Sequence, residues 1–214
     1  MNRNDDRLEV IKYKGVDIEI FQDTDCSDPN ECGNTDCFLV YDHRQFSTEV
    51  DGFKPSRINE HCCENRRFFY DGHWVFPVYA YIHSGVILSL GKSEYPFTDR
   101  WDVSMKGFVL VDRKKGWSYT KKQAEVVAQS VVDEWNMYLS DEVYGYIHEF
   151  GECSGFYGDA GKEDMINEAK AEINCEIEER NKKAVKLHLS NLKRWLKNHV
   201  PIHYREPLKL IHEI

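Results

Sequence analysis

The chain has 214 residues, with 28 Lys+Arg against 37 Asp+Glu for a formal net charge of −9; 41% of its residues are hydrophobic and 13% aromatic. That aromatic fraction excludes a disordered chain, and the length suits one large domain or one domain with an appendage. No apolar run approaches the roughly 18–20 residues of a membrane-spanning helix, and the opening MNRNDDRLEV has no apolar core of a secretory signal. The expectation is an acidic protein of a reducing cytoplasm, with no membrane partner.

Residues 8–13 and 16–22 flank Lys14-Gly15, and Val16, Ile18 and Ile20 alternate with Asp17 and Glu19. Period-two alternation around a two-residue turn predicts a β-hairpin. Residues 23–36, rich in Asp, Asn, Ser and Gly with one Pro, read as a loop. A short apolar strand follows at 38–41, and 43–72 shows no clear period. Residues 74–82 and 86–90 are β-branched and aromatic runs joined at His83-Ser84-Gly85, which predicts a second hairpin. Pro77 implies an edge or a bulge in its first strand, and 105–111 gives a further strand.

Thr120-Lys121-Lys122-Gln123 matches a capping box. Behind it Ala124, Val127, Ala128, Val131, Trp135, Tyr138 and Leu139 recur at helical spacing, so 120–139 is a helix. Residues 143–150 and 153–157 then predict a hairpin around Gly151-Glu152. From about Lys162 the pattern is helical, with one stripe at Ile166, Ala169, Ile173 and Ile177 and another at Val185, Leu189, Leu192 and Leu196. Between them 178–183 is almost free of apolar side chains, so either one helix has a solvated middle or two helices meet near Asn181. The predicted fold class is α+β: a mixed or antiparallel sheet built from hairpins, flanked by one central helix and a long or split C-terminal helix. Its parts are a core over 1–160, a helical region over 161–200 that packs on or extends from it, and a tail over 201–214.

Seven cysteines stand at 26, 32, 37, 62, 63, 153 and 175. The spacings Cys26-x5-Cys32-x4-Cys37 miss the tight pairs of structural zinc sites, so ordinary thiols and no metal or other cofactor are expected. Asp23, Asp25, Asp28 and Glu31 lack the glycine and terminal glutamate of a calcium hand.

Charge is segregated along the chain. Between Lys14 and Arg44 lie Asp17, Glu19, Asp23, Asp25, Asp28, Glu31, Asp36 and Asp42, with no Lys or Arg. Such a run is either a solvated loop or a partner-binding face able to occupy a basic nucleic-acid channel. At the other end Lys186, Lys193, Arg194 and Lys197, interleaved with Trp195, are the candidate nucleic-acid contacts. The same C-terminal helix is the candidate homodimer seam, though it sustains barely two heptads.

Catalytic signatures are weak: no nucleophile elbow, phosphate loop or H-E-x-x-H is present. The best alternative active site pairs His83 with Asp102, but their spacing does not place them within proton-transfer reach. A non-enzymatic protein is therefore expected, with a small hydrolase or nucleic-acid-processing enzyme as the alternative.

Several segments together resemble a family of uncharacterised proteins encoded by phages and other mobile elements. They are Asp25-Cys26-Ser27-Asp28-Pro29-Asn30-Glu31, His43-Arg44-Gln45-Phe46, Val78-Tyr79-Ala80-Tyr81-Ile82-His83-Ser84-Gly85, Trp101-Asp102 leading to Gly107-Phe108-Val109, Tyr138-Leu139 to Val143-Tyr144-Gly145-Tyr146, and Gly155-Phe156-Tyr157-Gly158. Their order and spacing are similar over about residues 10–175. The chain departs from the family pattern at Asn30 and Cys32, where the pattern has Arg and Trp, and at Cys153-Ser154, which shortens its Ser-Cys-Trp. The resemblance implies genomic context rather than an activity: small acidic phage accessory proteins frequently inhibit host defence. The expected function is thus an anti-CRISPR or antirestriction protein, a DNA mimic whose partner is a host defence nuclease or its ribonucleoprotein complex in the bacterial cytoplasm.

Overall fold

A computed structural model describes residues 7–31, 36–48, 50–65, 68–82, 85–91, 103–114, 120–201 and 204. In chain order the elements are β1 (Arg7–Tyr13), β2 (Val16–Gln22), β3 (Cys37–His43), β4 (Phe46–Thr48), α1 (Pro55–Asn65), β5 (Phe69–Tyr70), β6 (His73–Ile82), β7 (Val86–Leu90), β8 (Val103–Asp112), α2 (Lys121–Leu139), β9 (Val143–His148), β10 (Gly151–Tyr157) and α3 (Gly158–His199). The fold is α+β, and every strand pairing among the described residues is antiparallel.

The first hairpin turns on Lys14 and Gly15, both at positive φ (51° and 86°), the geometry that matches the twist of its flanking strands. Its strands join the β9–β10 hairpin in a smaller sheet ordered β1-β2-β9-β10. The larger sheet runs β4-β3-β8-β6-β5, with β7 pairing β6. Pro77 lies between the residues of β6 that pair with β5 and those that pair with β7, and the ladder to β8 shifts register at Val78/Tyr79. A missing N–H costs nothing in such a gap.

The larger sheet is buried on both faces, which explains why Phe38, Leu39, Val40 and Tyr41 are apolar without alternation. Leu39, Tyr41, Phe76, Val78, Val109 and Val111 pack under α2 through Ala124, Ala128, Val131, Val132 and Trp135. Phe38, Val40, Val75, Phe108 and Leu110 pack against Ile58 of α1 and Phe53. Helix α1 falls inside the segment that showed no period. Ile58 is fully buried, and Pro55 at the first position of the helix is the start signal.

Helix α2 begins as the capping box requires: Gln123 N donates to Thr120 Oγ1 (3.3 Å), and Thr120 N donates to Gln123 Oε1 (3.0 Å). Asn136 pins it to β7, its Nδ2 donating to Leu88 O (3.0 Å) and its Oδ1 accepting from Leu88 N (2.8 Å).

Helix α3 is one unbroken helix of 42 residues. Its first half covers the smaller sheet, with Met165, Ala169 and Ile173 against Val16, Ile18, Ile20 and Tyr146. The apolar-free middle stays helical through i,i+4 ion pairs: Glu176–Arg180 (3.3 Å), Glu178–Lys182 (3.8 Å) and Glu179–Lys183 (3.3 Å). The β9–β10 turn holds α3 at Arg180, Glu149 pairing with it at 3.9 Å and Phe150 lying 4.3 Å beneath its guanidinium. From Glu178 onward nearly every residue is exposed, so residues 181–199 stand off as an arm of about 28 Å. No helix among the described residues is long and apolar enough to cross a membrane.

Candidate functional site

The eight acidic residues of the 17–42 segment are divided by the two sheets. Asp17 and Glu19 lie on the face of the smaller sheet opposite α3, ion-paired with Lys12 (3.8 Å) and Arg7 (3.6 Å). Asp36 and Asp42 sit at opposite ends of β3, about 20 Å apart along an extended strand. Asp42 lines a cavity of about 310 Å³ with His43, Arg44, Pro55, Ser56, Asn59 and Phe108. The remaining four, Asp23, Asp25, Asp28 and Glu31, share one loop.

That loop is held from inside. Asp28 Oδ1 accepts from the backbone N–H of Asn30 (2.9 Å) and Glu31 (3.2 Å). Asn30 in turn clips onto β3, donating to Leu39 O (2.8 Å) and accepting from Leu39 N (3.0 Å). Pro29 is buried between these contacts. At the other end Asp23 N donates to Val143 O (2.8 Å), and Gln22 Nε2 donates to Asp141 O (2.7 Å). Asp25 and Glu31 are left exposed on this fixed frame.

The frame brings the loop to the C-terminal end of α2, where Asp141 joins it at a φ of 59°. Tyr138, in the last turn, reports the gathering. Its phenol is pushed above the ordinary range by burial first, then by Cys26, Asp28, Glu31 and Asp141. A helix C-terminus carries partial negative charge and favours cations. Here it meets carboxylates, and its last turn holds no basic residue. The sequence has no Lys or Arg between Lys14 and Arg44 or between Lys122 and Lys162. An arrangement that opposes stability, rigidly maintained, is a candidate binding surface for a cationic partner. Tyr138 and Asp141 lie over a hundred residues from the loop in sequence, beyond the reach of any charge count along the chain.

The other candidates fall elsewhere. His83 and Asp102 lie outside the described residues, as does Cys32. Cys37 is a core residue of the larger sheet and Cys62 packs against the cluster under α1. Burial, then Cys63, pushes the Cys62 thiol up, away from the reactive thiolate. Among the described residues no group of three His, Cys, Asp or Glu is placed to hold a metal ion. Lys186, Lys193, Arg194 and Lys197 all stand on the exposed arm.

One polar cluster has no signature in the sequence. Under α3, Tyr146 and His148 stack at 5.3 Å, and His148 Nε2 lies 3.2 Å from Glu172 Oε2. The Tyr146 phenol is raised by burial first, then by Glu172, Glu168 and Cys153. Phenols of an unfolded chain ionise near about pH 10, whereas Tyr138 and Tyr146 hold their protons beyond it. Their contribution to stability is therefore complete below about pH 10 and is lost as pH rises above it. Urea melts should show a midpoint that falls between pH 9.5 and 11, and Tyr146→Phe should make that fall shallower. An identical alkaline fall in the variant would contradict the assignment to Tyr146.

Comparison with protein-family models, with curated proteins and with solved structures finds no match to this chain.

Proposed function

We propose that the chain is a non-enzymatic inhibitor of a nucleic-acid-targeting defence complex, encoded by a phage or mobile element and acting in the host cytoplasm. It places the carboxylates of loop 23–31 and Asp141 where a basic channel would hold phosphates. The observation that supports this reading most is the pinning of the loop by Asn30 and Asp28. Carboxylates on a fixed frame lose little freedom on binding, so their charge is converted into association rather than into ordering cost. The resemblance to phage-encoded proteins, which includes residues 25–31, supports the biological setting.

The test separates the displayed charges from the structural one. Asp25→Lys with Glu31→Lys should slow association with the target nuclease by about ten-fold or more and flatten its salt dependence. The same pair should move the melting temperature little, because exposed charges contribute under about 1 kcal/mol each. Asp28→Ala should instead cost about 1 kcal/mol of stability, since its carboxylate satisfies two backbone N–H groups. Unchanged association after the reversal, or no binding to any of a panel of purified CRISPR and restriction nucleases, would sink the proposal.

A second reading rests on a different observation. Residues 180–199 hold seven Lys or Arg and no Asp or Glu, which leaves −16 on the rest of the chain. A nucleic-acid-binding module using Lys186, Lys193, Arg194 and Lys197 would lose binding to duplex or single-stranded oligonucleotides when these are changed to Glu. The loop reversal would leave that binding unchanged.

A further inference from the structure

At the β5 edge of the larger sheet the fold gathers aromatic rings and cations that are distant in sequence. Phe69 of β5 pairs with Trp74 of β6, and Arg113, the residue after β8, donates its backbone N–H to Gly72 O (3.1 Å). The Arg113 guanidinium carbon lies 4.9 Å from the centre of the Phe69 ring and 4.7 Å from that of Trp74. Beside it the backbone of Phe68 is tied to β6, its carbonyl accepting from Val75 N (3.0 Å). The Phe68 ring is 54% exposed and lies 5.0 Å from Lys121 Nζ, in the first turn of α2. We propose that this corner binds single-stranded nucleic acid, with a base stacked on Phe68 and the phosphates on either side of it held by Arg113 and Lys121.

The charge of the corner runs against that of the chain. Residues 113–122 hold five Lys or Arg and no Asp or Glu, in a protein of net charge −9. Arg113, Lys114, Lys121 and Lys122 are exposed, and among the described residues none of them is ion-paired. Three acids share this end of the sheet. Asp112 turns Oδ1 to the backbone N–H of Lys114 (2.8 Å), Asp36 lies across β8 from the edge, and Asp71 stands exposed in the β5–β6 turn. The first turn of α2 holds no acidic residue, so the positive end of the helix dipole adds to the attraction for phosphate.

The rings select the occupant. A guanidinium stacked on aromatic faces is already ordered and turns its N–H edge outward, the geometry that takes phosphate oxygens. An exposed ring between cations adds a stacking platform for a base, and base-on-aromatic stacking tolerates any sequence. A duplex keeps its bases stacked on one another and so offers phosphates to the cations but nothing to Phe68. An acidic peptide likewise satisfies the charges alone. Few phosphate contacts on an otherwise acidic protein set the affinity in the micromolar range. The corner shares no residue with loop 23–31 or with the arm of α3.

Fluorescence anisotropy of a labelled thymidylate strand of about 15 nucleotides tests the assignment. The full chain is used with Lys186→Gln, Lys193→Gln, Arg194→Gln and Lys197→Gln, so that the arm does not contribute. At about 50 mM salt it should bind the strand, and binding should weaken as salt rises to about 200 mM. A duplex of the same length should bind about ten-fold more weakly. Phe68→Leu keeps an apolar side chain and removes the π face, and it should cost about ten-fold in affinity for the strand, whereas Phe68→Trp should retain binding. Lys121→Gln should lower the slope of log Kd against log salt by about 0.7. Both positions are exposed, so the melting temperature should stay near that of the parent in all three variants. Absence of strand binding by the arm-neutralised chain overturns the proposal, as does a Phe68→Leu variant that binds as tightly as its parent. So does an unchanged salt slope in Lys121→Gln, or a duplex or polyglutamate peptide bound as tightly as the strand. None of these readouts depends on the acidic loop, so failure here leaves the inhibitor reading to its own test.

Discussion

Gly107→Val should destabilise the fold by about 3–4 kcal/mol, lowering the melting temperature by roughly 10 °C in a chain of this size. Gly107 stands in β8 between Tyr41 of β3 and Val78 of β6. A Cβ there would come within 2.0 Å of Tyr41 Cδ2, 2.8 Å of Tyr41 Cε2 and 2.8 Å of the Val40 carbonyl oxygen. The ring cannot simply turn away, because Tyr41 is 1% exposed and lies 5.3 Å from Phe46. The absent side chain is therefore the space that the tyrosine occupies. A double-mutant cycle checks it: on a Tyr41→Ala background, Gly107→Ala should cost clearly less than in the parent, the remaining cost coming from the Val40 carbonyl oxygen that the ring does not shield. Additive costs in urea melts would show that the strain arises in the backbone instead.

Where a segment pairs or packs by its own period, its element was legible in the sequence. The Lys14-Gly15 hairpin and the capping box at Thr120 are local signals satisfied within a few residues, and the Ala124–Ala128–Val131–Trp135 stripe is read from its own period although it packs on distant strands. Helix α1 was not legible, because a helix that buries only Ile58 completely among its described residues has no stripe to detect. The C-terminal helix left two readings open at 178–183, since apolar periodicity is silent where ion pairs hold the backbone. Glu176, Glu178 and Glu179, each four residues before a cation, carry the helix across that interval.

The candidate site was legible as charge but not as a surface. Counting acids from Asp17 to Asp42 merges residues that the chain sends to two sheets and to opposite ends of one strand. Pairing partners decide the outcome: Lys12 and Arg7 partly neutralise Asp17 and Glu19, while loop 23–31 meets the end of α2 and gains Asp141. That meeting depends on β2 pairing β9, a contact between residues more than a hundred positions apart. Charge patterning identifies the loop, and topology supplies its remaining member.

Trp135→Ala should cost about 3–5 kcal/mol, the usual range for removing a large buried aromatic. Trp135 is 1% exposed and ties α2 to β4: its ring meets Phe46 of β4 edge-on at 5.7 Å and Tyr138 of its own helix at 5.5 Å, within the core that α2 forms with the larger sheet. Its Nε1 is buried with no hydrogen-bond partner among the described residues. That observation separates packing from polarity. Trp135→Phe keeps an aromatic ring in the same core and removes the uncompensated N–H, so the lost volume is partly offset by a desolvation cost that no longer arises. The phenylalanine variant should therefore lose no more than about 1–2 kcal/mol in urea melts. A loss as large as that of the alanine variant would mean that the indole N–H is satisfied in solution. The site would then be anchored by a hydrogen bond rather than by the fit of the ring.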